Sequence, residues 1–226
     1  MRYQNITKGT FLARPNRFIA HVLVDGETVV CHVKNTGRCA ELLRPGVPVY
    51  LERAQNPARK TAFDLIAVEK GDLLINMDAQ APNRVFAEWA ADGKFLPEVQ
   101  AIQPEYRYGA SRLDFALTTP EGLHLVEVKG VTLEEGGHAR FPDAPTERGV
   151  RHLGELERAA AEGLGATAFF VIQMEGMKDF APNDATHPAF GEALRHAAEH
   201  GVRVEAWECA VTPESLRIVR PVKVRL

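Results

Sequence analysis

The stretch 111–130, SRLDFALTTPEGLHLVEVKG, constrains the fold more than any other. Two runs within it, LDFAL and LVEVK, have the apolar content of buried strands, yet both carry charge. The turn signal Thr119-Pro120-Glu121-Gly122 lies between them. This predicts two antiparallel strands joined by a tight turn. Side chains alternate along a strand, so Leu125, Glu127 and Lys129 share one face, and His124, Val126 and Val128 the other. Glu127 and Lys129 therefore project together, roughly 7 Å apart. On the first strand, Leu113, Phe115 and Leu117 share a face, and Asp114 points the other way with Ala116. With the faces paired, Asp114, Glu127 and Lys129 converge at one edge of a sheet.

Two carboxylates a few Å apart repel each other and are costly near a core without compensation. A hard divalent cation, Mg²⁺ or Mn²⁺, compensates by taking oxygen ligands while keeping several waters. A lysine beside it can orient a water or stabilise charge developing on a phosphate. An Asp followed by Glu-x-Lys across a hairpin is the core signature of the PD-(D/E)XK nucleases. A solvated Glu/Lys strand shows the same spacing, but the apolar flanks here have no structural need of charge. The literal dipeptide Pro142-Asp143 follows Glu127, in the wrong order and in a predicted loop. Asp114 is therefore the better first metal carboxylate.

The chain of 226 residues suffices for one large or two small domains. No apolar run is long enough to span a membrane, and the first residues lack the apolar stretch of a signal peptide. Three thinly spread cysteines, Cys31, Cys39 and Cys209, suggest reduced thiols and a cytoplasmic setting. The spacing of Cys31 and Cys39 does not suit zinc. The overall charge of −3 conceals an asymmetry: residues 1–80 hold 11 basic and 8 acidic side chains, the remainder 16 and 22. Neither part binds nucleic acid by bulk charge, so any contact would rest on a local patch.

Short apolar runs at 9–14, 17–24, 28–34, 47–53, 63–68 and 73–77 read as strands, with Asp25-Gly26 and Gly71-Asp72 as hairpin turns. Such a set over residues 1–80 suggests an OB-like barrel. Arg14, Arg17, Arg38, Arg59 and Lys60 stand in or beside its loops, one of them Asn35-Thr36-Gly37. Ala81-Pro82-Asn83 reads as a domain boundary and N-cap. A helix over 84–92, ended by Gly93, carries Glu88. Strands over 101–108, 111–118 and 123–129 follow, then a long loop over 131–145. A helix starts at the N-cap Thr146 and runs to about Glu162, with Arg148, Arg151, His152 and Glu155 on its early turns. A central strand over 167–174, a helix over 188–200 and strands over 202–207 and 215–219 complete an α/β (α+β) two-domain chain, its second domain spanning 81–226.

The blocks YGASRLDF (108–115), VEVKGVTLE (126–134), ARFPDAPTERGVRHLGEL (139–156), HVKNTGRCAELL (32–43) and NPARKT (56–61) resemble the sugar fermentation stimulation protein A family along essentially the whole chain. The resemblance implies DNA binding, an N-terminal OB-like barrel and a C-terminal PD-(D/E)XK nuclease-like mixed sheet flanked by helices. It also implies a DNA or RNA nuclease site at Asp114, Glu127 and Lys129, with Glu88 as the helix carboxylate and a further metal ligand. Mg²⁺ or Mn²⁺ is then the expected cofactor. Arg17, Asn35 and Arg38 of the barrel and Arg148 and His152 of the helix are the expected nucleic-acid contacts. Many members have Cys-Pro where this chain has Val33-Lys34. Many nucleases of this fold act as dimers, which leaves a homodimer open. The rival expectation is a non-catalytic DNA-binding transcriptional regulator that keeps the nuclease fold as a scaffold; an intact Asp/Glu/Lys set argues against it. No nucleotide loop or sugar-type acid/base pair supports a sugar-metabolic enzyme.

Overall fold

Tight turns build the first half of the molecule. The computed structural model describes residues 1–35, 37–56 and 58–226; Thr36 of the Asn35-Thr36-Gly37 loop and Pro57 of NPARKT lie outside the described residues. Strands β1 (Ile6–Asn16), β2 (Ile19–Val24) and β3 (Glu27–Val33) form a meander. Asp25 and Gly26 turn β2 into β3 with φ of 49° and 86°, the positive pair that a two-residue hairpin of this twist requires. β4 (Pro48–Arg53) pairs with β1, and β5 (Phe63–Lys70) pairs with β4 and, in parallel, with β3. That last pairing closes a five-strand barrel, to which β6 (Leu73–Asn76) adds beside β5. Register shifts in β1 let one long strand bend between two partners. Phe11, Val22, Cys31, Val49, Leu51 and Leu65 fill the interior.

The second half is a six-stranded mixed sheet with helices on both faces. β7 (Ala101–Tyr108), β8 (Ser111–Thr119) and β9 (Gly122–Val131) form the antiparallel part. Helix α1 (Ala81–Ala91) covers one face, seating Val85, Phe86 and Trp89 against Phe115, Val126 and Val128. Later in the chain come β10 (Leu133–Glu135), β11 (His138–Phe141), α2 (Glu147–Ala161) and β12 (Gly165–Ile172). β12 lies parallel to β9, and its near-continuous burial fits a central strand. The Thr146 hydroxyl accepts from the Gly149 N–H at 3.0 Å, the N-cap expected for α2. β13 (Asp179–Pro182), α3 (Pro188–Glu199), β14 (Arg203–Thr212), β15 (Ser215–Pro221) and β16 (Lys223–Val224) complete the chain. β14 and β15 extend the large sheet beyond β12. Among the described residues no helix is long and apolar enough to cross a membrane. All three cysteines are free and buried.

Two expectations are corrected. The loop over 131–145 contains the hairpin β10–β11, which joins β13 and β16 in a small separate sheet. Strands of three and four residues show too little alternation to register, and their partner β13 lies some 40 positions away. Helix α1 begins at Ala81, so Asn83 is inside its first turn and is not its cap. Proline is tolerated in a first turn, where its missing N–H has no intrahelical partner to lose, so Pro82 starts the helix instead of preceding it.

Candidate metal and catalytic site

The pairing of β8 with β9 runs from Thr119↔Gly122 to Phe115↔Val126 and stops there. Asp114 stands at this fork. Its Oδ2 accepts the Val128 N–H at 2.8 Å, and its Oδ1 accepts from Asn83 Nδ2 at 2.8 Å. The carboxylate is thus fixed from a strand and from the first turn of α1. Each oxygen retains a lone pair for a further partner.

Glu127, 3 % exposed, faces α2. Its Oε1 accepts from both Lys129 Nζ and His152 Nδ1. Its Oε2 is buried and has no hydrogen-bond partner among the described residues. Arg148 Nε donates to His152 Nε2 at 3.3 Å, which leaves the ring proton on Nδ1, aimed at Glu127. Arg148 and His152 lie one turn apart on α2, so both reach the same side.

The two carboxyl groups are biased in opposite directions. Burial, reinforced by the Glu127 charge, raises the Asp114 pKa above the ordinary carboxylate value. Burial pushes Glu127 the same way, but the His152 hydrogen bond and the charge of Lys129 outweigh it and hold its pKa low. The result is one firmly ionised carboxylate with a free buried oxygen and a second, pre-oriented carboxylate beside it. Oxygen donors so arranged suit a hard divalent cation.

Five expected residues, Asp114, Glu127, Lys129, Arg148 and His152, therefore meet in one neighbourhood. Glu88 does not join them. Its carboxylate pairs with the Met1 amine at 2.6 Å, on a flank of α1 roughly 140° round from Asn83. The α1 side chain at the site is Asn83, which the sequence reading took for a cap. Only the tolerance of first turns for proline would have moved it onto the helix.

The barrel residues gather separately. Arg14 donates to the carbonyls of Gly37, Arg38, Arg17 and Asn35 at 2.6–2.9 Å. It is the strut of the loop, not one of its free contacts. The Asn35 side chain accepts the Gly37 N–H at 2.8 Å. The Arg17 guanidinium lies 5.8 Å from the ring centroid of Phe18, a side chain 50 % exposed. Arg59 is bound to Asp64 at 2.6–2.9 Å.

Comparison with known proteins spans the whole chain. Residues 12–77 match the family described as SfsA N-terminal OB domain, and residues 80–215 match the sugar fermentation stimulation protein RE domain. A curated sugar fermentation stimulation protein homolog from Ruminiclostridium cellulolyticum is 51 % identical over 226 residues, covering 100 % of both chains. One from Desulfitobacterium hafniense strain Y51 is 54 % identical over 226 residues, 100 % of this chain and 99 % of the relative. The solved structure of Pyrococcus furiosus SfsA in complex with Ca²⁺ superposes with a TM-score of 0.90 at 28 % identity, covering 100 % of this chain and 98 % of that one.

Proposed function

The chain belongs to the sugar fermentation stimulation protein family, and from that premise we propose that it is a divalent-metal-dependent nuclease acting on the phosphodiester bonds of DNA or RNA. The observation that carries this reading is the buried, unpartnered Glu127 Oε2 beside Asp114. An ionised oxygen without a donor costs free energy, and a cation removes that cost. The relative from Pyrococcus furiosus was solved with Ca²⁺, another cation that takes oxygen ligands, which supports the same donor chemistry in this chain.

Asp114 and Glu127 would hold Mg²⁺ or Mn²⁺. Bound there, the cation supplies Lewis-acid polarisation of a phosphoryl oxygen and of water. The remaining roles belong to the chain. Asn83 and the Val128 N–H orient Asp114; His152 orients Glu127. Lys129 Nζ directs a water toward phosphorus and opposes the negative charge that grows on the phosphate. Arg148, exposed at the start of α2, takes a neighbouring phosphate. The barrel loop with Arg17, Asn35 and Arg38 grips the strand away from the reacting bond.

Calorimetric titration of Mg²⁺ and Mn²⁺, followed by digestion of labelled single- and double-stranded DNA and RNA, tests the reading. Metal uptake and cleavage should both be absent from Asp114→Ala, with nucleic-acid binding retained. Wild-type protein that binds DNA but takes up no metal, even with DNA present, would instead be a DNA-binding regulator built on a nuclease scaffold.

A further inference from the structure

A cleft of about 370 Å³ separates the barrel from the mixed sheet. Asn35 and Gly37 wall it on the barrel side; Gly130, Thr132, Asp143 and Gln173 wall it on the other. It begins one residue beyond Lys129 on β9. Its rim includes Thr146, two residues before Arg148. A strand whose phosphate lies at Asp114 and Glu127 therefore carries an adjacent nucleotide past this opening.

The lining decides which part of that nucleotide enters. No lysine or arginine lines the cleft among the described residues, and its one ionisable side chain is Asp143. That carboxylate lies so close to the barrel loop that a Cβ at Gly37 would collide with it. Burial raises its pKa above the ordinary carboxylate value, against the pull of backbone N–H groups and of the Arg14 and Arg38 charges. Gln173 spends both amide hydrogens, on Asn76 Oδ1 at 2.8 Å and on the Asp78 carbonyl at 3.1 Å. Its Oε1 is left as an acceptor beside Gly130, where a Cβ would come within 2.5 Å of it. A cleft offering a carboxylate and an amide carbonyl disfavours phosphate and favours a heterocycle rich in N–H donors.

Resting on the nuclease reading above, we propose that this cleft receives one unpaired base next to the scissile phosphate, guanine before the others, and that the substrate is accordingly a single strand. Guanine sets an imide N–H and an amino group side by side, a match for a carboxylate. Adenine and cytosine offer one amino group. Thymine and uracil flank a single N–H with two carbonyls that Asp143 repels. These edges are engaged in a duplex and become available only in an unpaired or extruded base.

The test is fluorescence anisotropy with full-length protein in Ca²⁺. The probes are a labelled oligothymidylate, the same strand with one central dG, and a blunt duplex. The dG strand should bind about tenfold more tightly than the thymidylate strand, the discrimination of one good two-point base contact. Asp143→Ala should lose that preference without weakening thymidylate binding, and Asp143→Asn should reduce it. Equal binding of the two strands by wild-type protein, a preference that survives Asp143→Ala, or tightest binding of the duplex would overturn this inference and leave the nuclease reading standing. Failure to bind any of the three probes would overturn both. The wild-type comparison decides the matter even if a variant does not fold.

Discussion

Asp114 occupies a position where a neutral side chain would fold better. Its carboxyl is buried and faces the Glu127 charge, so its pKa in the folded protein stands above the ordinary value. The native state then holds that proton more tightly than the unfolded chain does. Metal-free stability is lost as pH rises from the ordinary carboxylate range through the raised folded value. At pH 7 Asp114→Asn should therefore raise the melting temperature of metal-free protein, by about 2–4 °C for each kcal/mol of repulsion removed. Mg²⁺ should raise the melting temperature of the wild type and leave the variant unmoved, since only a ligand of the native state stabilises it. A variant less stable than wild type in EDTA would contradict this account. His152 acts one step further out, by fixing Glu127 through Nδ1. Removing such a partner typically weakens a metal site about 10–100-fold, and His152→Ala should show a loss of that order by calorimetry. Unchanged affinity would reduce His152 to core packing.

At the scale of elements, what could be read in the sequence was whatever repeats within one strand or one helix. The alternation of 123–129 placed Glu127 and Lys129 on one face, and β9 presents them to α2 as that alternation requires. Thr146 announced α2, and four-residue spacing put Arg148 and His152 together. Contacts between elements left no such trace. The Asn83–Asp114 hydrogen bond joins residues 31 positions apart, and nothing local to either marks it. Glu88 had the right chemistry on the right helix, but the helical phase turns it to the Met1 amine. The other end of β9 offers a further prediction. His124 packs against Gly165, hydrogen-bonds Thr167 Oγ1 at 2.8 Å, and is pushed down to a pKa of about 4 by burial and by the nearby charge of Arg203. The unfolded chain takes up its proton near pH 6.5, whereas the folded protein resists until about pH 4. Stability should therefore fall as pH drops through that window, by on the order of 3 kcal/mol from this residue alone. His124→Gln should lower the melting temperature at pH 7 and shrink the difference between pH 7 and pH 4.5. An undiminished acid loss in the variant would assign the effect to the carboxylates.

For the molecule as a whole, the division near residue 80 is a boundary in the chain but not in the packing. One apolar cluster runs from Phe11, Val22 and Leu65 in the barrel to Leu125, Leu153 and Phe170 in the sheet domain. Polar links cross the same seam. Asn76 N–H donates to the Gln173 carbonyl at 2.9 Å, Gln173 Nε2 returns to Asn76 Oδ1, and Asn76 Nδ2 reaches the Tyr3 hydroxyl at 2.9 Å. Lys70 Nζ donates to the Glu134 carboxylate and carbonyl, both at 2.6 Å. A seam this continuous couples the two halves, so calorimetry should record one unfolding transition with equal calorimetric and van't Hoff enthalpies. Two resolved transitions would show that the barrel folds alone. Gln173→Ala strikes the seam at its centre and removes two hydrogen bonds, leaving the Asn76 oxygen only the Asp78 N–H and the Asp78 carbonyl only the Ala81 N–H. It should cost about 1–3 kcal/mol. The same side chain walls the cleft between barrel and sheet, so under the proposed function the loss would have a functional counterpart. On the proposed nuclease reading, a strand gripped by the barrel would be registered against Asp114 and Glu127 only while the seam is rigid. Gln173→Ala should then lower the rate of cleavage at saturating metal, while thymidylate binding by the barrel changes little. A normal rate despite the lost stability would mean that the seam holds the fold together without aligning the substrate.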